Sequence, residues 1–322
     1  MKAAVIYKKG ELPQYTDFPD PIIENENQLL MSVKASAVKN LDKNIASGKH
    51  YSAENKEAAK VVGGDGVGLL EDGTRVYALG VTGMIAEKAI IDKNKMVKVP
   101  EGLDDCTASA LPNAVAGSAM ALRFRADIQK GETVLINGAT GVTGKIAIQL
   151  AKHYGAGKVI VTGRKEETLK ELLELGADEY IVLNQSDDNL IAKFKEIHAN
   201  TSIDIIIDYL WGHSAELILK SLKGNGGFTH KTRYVSVGSM AGDTIQLSAE
   251  ILRSVDLKLS GSGFGSWTKE EMKILLVEIL PEMFELAVSK KLIIETVSLD
   301  IKDIQKAWEM NIPNGQRLVI TI

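Results

Sequence analysis

The sequence predicts an α/β protein in which a doubly wound parallel sheet of six strands is inserted into a β-rich domain. Three observations predict it. A β-branched run, Thr133–Asn137, leads into Gly138, Gly141 and Gly144, then into Ile146, Ala147, Leu150, Ala151 and Tyr154 at helical spacing. From there strand-like runs and amphipathic stretches alternate. The residues before Asp104 instead carry strand patterns with little helical periodicity, and the chain returns to a strand at its end.

Bulk properties narrow the class. A chain of 322 residues is long enough for two domains and a large core. With 45% hydrophobic residues, 25% charged residues and a formal net charge of −4, nothing calls for a nucleic acid or an anionic membrane as partner. The lone cysteine, Cys106, excludes an intrachain disulfide and suits a cytoplasmic enzyme. Met1–Tyr7 reads as a strand rather than a secretory leader, and no apolar run is long enough to cross a bilayer.

Taken in order, Lys2–Tyr7, Leu29–Ala37, Thr74–Leu79 and Ile85–Ile91 read as strands. After the turn Pro100-Glu101-Gly102, the alanine-rich stretch Asp104–Arg123 is helical, and Pro112 and Gly117 predict two helices rather than one. The inserted sheet draws on Val134–Asn137, Val159–Thr162, Tyr180–Leu183, Ile203–Asp208, Tyr234–Val237 and Leu257–Ser260, with helices such as Glu166–Leu175 and Asn189–Ile197 between them. Thr268–Lys290 is a helix that Pro281 kinks or splits, and Arg317–Ile322 is a closing strand. The predicted boundaries are 1–112, 113–255 and 256–322, the last holding the sixth strand of the inserted sheet and the return to the first domain.

Strand, glycine turn and helix in this order are the context in which such a motif binds a dinucleotide. Absent side chains let the backbone close on a pyrophosphate, and the helix start offers free N–H groups and a positive dipole end. Gly138, Thr140, Gly141, Val142 and Gly144 are the predicted phosphate site. The second strand ends in Gly163-Arg164-Lys165, where NAD-preferring sites place an acid for the ribose hydroxyl. Arg164 can stack on adenine and fork onto a 2′-phosphate, so NADPH is the expected cofactor. The other reading of Arg164 and Lys165 is a solvated helix start, and Glu166 and Glu167 stand close by.

Beyond the turn, the chain carries Ala35-Ser36-Ala37-Val38-Lys39-Asn40-Leu41-Asp42, Ser47-Gly48, Gly63-Gly64-Asp65-Gly66-Val67-Gly68, Ala110-Leu111-Pro112-Asn113, Gly176-Ala177-Asp178 and Asp208. In that order and spacing it resembles, over essentially its whole length, the medium-chain dehydrogenases/reductases. Among them it is most similar to the zinc-independent quinone oxidoreductase (zeta-crystallin-like) branch. The resemblance implies a GroES-like catalytic domain, a Rossmann domain and a homodimer. Two departures fall on the substrate side. Gly68–Gly73 is shorter than the family's strand and loop, and Lys49-His50-Tyr51 replaces a Tyr-Pro pair.

Zinc-dependent relatives use a cysteine, a histidine and an acid, as a catalytic zinc requires. Here Lys39 stands at the first-cysteine position, Asn40 at its histidine neighbour and Gly64-Asp65 at the glycine-histidine-glutamate motif. The five histidines (50, 153, 198, 213 and 230) show no ligand spacing, so no metal is expected.

Topology and resemblance add Gly238, Ser239 and Gly263 as cofactor contacts. Gly263 lies within Gly261–Ser266, which is either crevice lining or a plain connection. Asn113 either meets the nicotinamide end or caps a helix. Arg317 resembles a C-terminal basic residue that reaches the cofactor phosphates, or is an ordinary surface arginine. Without a metal, catalysis consists of holding the nicotinamide against an electron-poor acceptor, a quinone or activated enone. Asn40 and Tyr51 are the candidate donors to the developing oxyanion, with turn former and loop aromatic as their bland alternatives. Asp42 is expected to fix its loop rather than move protons. Rival functions are reduction of 2-enals, 2-enones or enoyl thioesters, and a nucleotide-binding sensor with little turnover. A short-chain reductase is excluded, because the Tyr154/Lys158 match lies directly after the first helix of the nucleotide fold.

Overall fold

The computed structural model describes residues 1–49, 58–227 and 229–322, and they divide into two units, Met1–Pro112 with Lys273–Ile322, and Asn113–Met272. The first seven strands are β1 (Lys2–Ile6), β2 (Gln14–Asp17), β3 (Gln28–Val38), β4 (Lys60–Val61), β5 (Asp65–Leu69), β6 (Arg75–Gly80) and β7 (Lys88–Lys98). β1 pairs antiparallel with β2 and β4, whereas β3, β5, β6 and β7 form an antiparallel ring that closes through β3 and β7.

Ring closure explains where β7 outruns its sequence pattern. Its first half pairs with β3, from Gln28↔Asp92 to Ser32↔Lys88, and its second half with β6, from Val76↔Lys98 to Ala78↔Met96. The polar run Asp92–Lys95 therefore turns the corner instead of ending the strand. β5 escapes a propensity reading because it is rich in glycine. A Cβ on Gly66 would lie 2.8 Å from the Ala35 carbonyl oxygen, and one on Gly68 2.3 Å from that of Ser32. Those glycines let β5 close on a bulged β3.

The seven-residue helix α1 (Asn40–Ala46) follows β3, where no helix is predicted. Asp42 makes it possible by accepting the Lys39 N–H at 2.8 Å. Helix α2 (Asp105–Met120) corrects the expectation of two helices, since it runs unbroken through Pro112 and Gly117 and ends in a π-helical turn, Ala121–Arg125. Ala108, Ala110, Leu111, Ala114 and Val115 are fully buried, and that packing outweighs the about 3 kcal/mol that an interior proline costs.

The second unit holds β8 (Thr133–Asn137), α3 (Val142–His153), β9 (Lys158–Gly163), α4 (Glu166–Glu174), β10 (Glu179–Val182), α5 (Asp187–Asn200), β11 (Ile205–Asp208), α6 (Gly212–Ser221), β12 (Thr232–Ser236) and β13 (Leu257–Gly261). All six strands are parallel, in the order β10-β9-β8-β11-β12-β13. Leu135, Ile160, Ile206 and Tyr234 pack against Phe194, Ile197, Leu217 and Ile218 on one face. The order reverses between β8 and β11, so their carboxyl ends define the crevice of this architecture.

The chain then re-enters the first unit. Lys269–Ile274, a π-helical turn at Leu275–Ile279 and Leu280–Val288 follow one another, with Pro281 just after the π-helical turn that divides the two α-helical pieces. Strands β14 (Glu295–Asp300) and β15 (Gln316–Thr321) complete the sheet, β15 pairing with β3 from Leu318↔Val38 to Thr321↔Ala35. Among the described residues no helix is long and apolar enough to cross a membrane.

Candidate functional site

The second unit presents the glycine turn. Three glycines there answer to three different needs. Gly138 has φ +86°, which favours glycine, and a Cβ on it would lie 2.6 Å from Leu210 Cγ. At Gly144, the added carbon would lie 2.6 Å from Ala139 Cα, so α3 can seat on the turn only without it. Gly141 caps α3 with an extended backbone, and a Cβ there would meet nothing within 4 Å. The protein itself has no use for the space above Gly141, which leaves it open to a ligand at the helix start. Thr140 and Val142 flank it in sequence.

Gly163 ends β9, and a Cβ on it would lie 2.7 Å from Thr140 Cγ2, so this glycine lets the second strand tip touch the glycine turn. Arg164 and Lys165 follow, both exposed. The nearby acid Glu166 is engaged elsewhere, with Lys170 at 3.0 Å and the Tyr180 hydroxyl at 3.0 Å. The tip of β9 thus offers cations to solvent.

Beneath the turn runs a row of side-chain hydrogen bonds that the sequence reading missed. The Gly138 N–H donates to Thr162 Oγ1 (3.0 Å), Thr162 donates to Asn137 Oδ1 (2.7 Å), Asn137 Nδ2 donates to Asp208 Oδ1 (2.8 Å), and Tyr234 donates to Asp208 Oδ2 (2.5 Å). Burial pushes the Asp208 carboxyl above the usual carboxylate range, against the hydrogen bonds that favour its charge. The signals in sequence are a polar residue ending each of several β-branched runs and the place of Asp208 among the residues that carry the resemblance.

The other residues predicted in this unit scatter around the strand ends. A Cβ on Gly238, just past β12, would lie 2.8 Å from the Tyr209 carbonyl oxygen, and Ser239 beside it is exposed. Gly263 belongs to a hydrogen-bonded turn, its N–H donating to Ser266 Oγ (3.0 Å). Asn113 lies inside α2 and is half-buried, which removes the helix-cap reading.

The first unit holds a buried charge cluster. The Lys39 ammonium donates to Asp65 Oδ1 and to the Ala37 carbonyl (3.0 Å), and lies 3.2 Å from Asp42 Oδ2. Tyr77 donates to Asp65 Oδ2 (2.7 Å), and the Gly64 N–H to Asp42 Oδ1 (3.1 Å). Burial disfavours the ammonium, but Asp42 and Asp65 outweigh it and hold Lys39 above the usual lysine range. Arg317 is 8% exposed, and its Nε has no hydrogen-bond partner among the described residues. Burial lowers its pKa while the carboxylates of Asp42 and Asp65 support its charge. Arg317 is therefore no surface arginine. Two cations and two carboxylates balance in this interior.

Asp42 fixes its loop, as expected. Asn40 is exposed in the first turn of α1 rather than in a bare turn. Tyr51 lies outside the described residues.

A family model described as zinc-binding dehydrogenase matches residues 142–280. The donor set does not fit that metal. A lysine ammonium fills the space between the two acids, and among the described residues no group of three or more His, Cys, Asp or Glu could hold a metal ion. The Escherichia coli quinone oxidoreductase, solved with NADPH, shares the fold at a TM-score of 0.84 and 22% identity, covering 99% of this chain and 100% of that one. The Thermus thermophilus quinone oxidoreductase, also solved with NADPH, matches at a TM-score of 0.78 and 23% identity over 100% of both chains. The human quinone oxidoreductase is 31% identical over 285 residues, 85% of this chain and 83% of that protein. With that identity over that span, the chain belongs to the quinone oxidoreductase-type family of medium-chain dehydrogenases/reductases.

Proposed function

We propose that this chain is an NADPH-dependent oxidoreductase that reduces a quinone or an activated enone without a metal. The observation that carries the cofactor is the β9 tip. Gly163 touches Thr140 of the phosphate turn, and the exposed Arg164 and Lys165 follow it with no acid at that position. A 2′-phosphate suits a guanidinium there, and a ribose diol would want a carboxylate.

The residues fit the nucleotide as follows. Backbone N–H groups at the start of α3 and the open space over Gly141 receive the pyrophosphate. Arg164 and Lys165 bind the 2′-phosphate. Gly238, Ser239, Gly263, Asn113 and Arg317 are proposed as further cofactor contacts. When bound, the nicotinamide supplies a hydride from C4. The chain's part is to hold the two reactants in register and exclude water, which can supply much of the barrier lowering. Asn40 and Tyr51 are the proposed donors to the oxygen that gains charge. An acceptor that is already electron-poor needs no stronger polarisation than that. The relatives named quinone oxidoreductases support this acceptor class.

β13 is one of the two edges of the parallel sheet, opposite β10, with Lys258 and Leu259 exposed along it. An unpaired edge invites a second copy, so a homodimer is part of the proposal. A monomer mass by light scattering at micromolar protein overturns it.

The deciding experiment follows oxidation of NADPH and NADH side by side, with an ortho-quinone and an enone as acceptors and a chelator control. Chelator-insensitive turnover that prefers NADPH and the quinone is the expected result. Turnover with the enone alone moves the chain to the enone reductases, and tight NADPH binding with no turnover removes the enzyme reading.

A further inference from the structure

Asp208, fully buried at the end of β11, stands between two loops that need outside help to keep their shape. On one side, through Asn137 and Thr162, it reaches the Gly138 N–H. On the other, its Oδ1 accepts the N–H groups of Leu210 (2.8 Å) and Trp211 (3.1 Å).

The second loop is strained. Trp211 has φ 55° and ψ −155°, a conformation that belongs almost entirely to glycine. Its ring packs edge-on against Tyr234 at 6.1 Å, and Tyr234 is the residue that donates to Asp208. The strained turn sets Leu210 directly over Gly138, where its Cγ occupies the space of a would-be Cβ. The Leu210 carbonyl in turn accepts the Ala241 N–H at 2.8 Å, tying in the loop after β12.

A carboxylate near an anion-binding turn is an electrostatic cost. Here four donors from within the unit occupy it, so what it contributes is shape. We infer that Asp208 is a positioning residue: it holds the Tyr209–Gly212 loop in its strained form and thereby preshapes the Gly138–Gly141 turn for the nucleotide pyrophosphate. This rests on the reading of that turn as the NADPH site. Trp211 is the strained element and Asp208 the clamp, so a residue that tolerates the conformation should make the clamp dispensable.

The test measures NADPH affinity by nucleotide fluorescence in the wild type, Asp208→Ala, Trp211→Gly and the double variant, with NADPH KM and kcat from acceptor reduction. Asp208→Ala is expected to raise the NADPH Kd and KM by about tenfold with kcat within about threefold, and to speed amide exchange at Gly138–Gly141 in the free protein. In the double variant, glycine adopts the turn unaided and recovers most of the affinity, whereas a merely structural loss would deepen. Thr162→Val, near in shape, removes the acceptor for the Gly138 N–H and should raise the Kd by about fivefold, which keeps the inference testable if Asp208→Ala does not fold. Wild-type affinity in Asp208→Ala or Thr162→Val, or a double variant no better than Asp208→Ala, overturns it. If the folded wild type does not bind NADPH at all, the nucleotide reading falls and takes this inference with it. If the wild type binds and the variants bind equally well, only the inference falls.

Discussion

The Lys39 ammonium donates to Asp65 inside the β-rich unit, with 4% of one side chain and 6% of the other exposed. Together with Asp42 and Arg317 they form a neutral quartet whose members cannot be removed singly without stranding a charge. Replacing a buried pair by apolar residues is often neutral, but removing one partner costs about 3–5 kcal/mol.

Lys39→Met is therefore expected to lower the melting temperature strongly at pH 8 and less at pH 5. The variant leaves two carboxylates facing one guanidinium, so one carboxyl takes up a proton in the folded state and its pKa rises above the unfolded value. A group of that kind favours folding at low pH and loses its contribution as pH rises through the folded pKa. Melting curves of both proteins across this range check it, and a gap independent of pH refutes it. In the wild type, Lys39 is raised, so its contribution is fully present below the unfolded lysine pKa and lost only in strong alkali.

Arg164→Ala should raise the NADPH Kd by about tenfold or more and leave NADH binding nearly unchanged, since a charge-assisted bond to phosphate is worth about 1.5–3 kcal/mol. Titration with both nucleotides reads the difference. Equal losses would refute the 2′-phosphate contact, and no loss with either nucleotide would make Arg164 only the solvated start of α4.

The glycines of the turn should separate by role. Gly144→Ala forces a carbon to within 2.6 Å of Ala139 Cα, a backbone atom with nowhere to go, and should cost about 1–3 kcal/mol of stability. Gly141→Ser enters open space at a helix cap that serine favours, so melting should hold while NADPH affinity falls. A Gly141→Ser protein that binds NADPH as well as the wild type would place the pyrophosphate elsewhere.

Arg125 forks onto Glu271 with bonds of 2.8 and 2.9 Å and also donates to the Ser266 carbonyl at 2.7 Å. The guanidinium, with the Thr268 N–H, holds the Glu271 carboxyl down to about 2 from its ordinary 4.5. A depressed carboxyl stabilises the fold above its unfolded pKa and loses that contribution as pH falls through the folded one. Glu271→Gln should thus cost roughly 1–2 kcal/mol at neutral pH, and the cost should fade between pH 4.5 and about 2. Melting the two proteins at pH 7 and pH 3 measures it.

Much of the fold is legible in the chain alone. The inner strands β8, β9 and β11 are readable because strands buried on both faces are continuous β-branched runs, whereas the edge strands β10 and β13 are only partly buried; all six end within a residue or two of their expected places. The glycine turn before α3 is readable because glycine spacing is a local necessity. What escapes is set by distant partners. β5 looks like a glycine motif until β3 is seen to press against it, and α2 looks broken because propensity counts Pro112 but not the burial on either side of it.

The site divides along the same line. Gly138, Gly141, Gly144 and Arg164 follow from their neighbours in sequence, since a turn and a helix start are made by consecutive residues. The sequence by itself thus determined the fold class, the glycine turn and the cation at the second strand's tip. Only the tertiary structure decided that Lys39 fills the space between two acids, that Arg317 is buried, and that Asp208 clamps a strained Trp211. Those relations join residues far apart in the chain, and the energy of a buried charge or a strained backbone depends on which groups surround it in space.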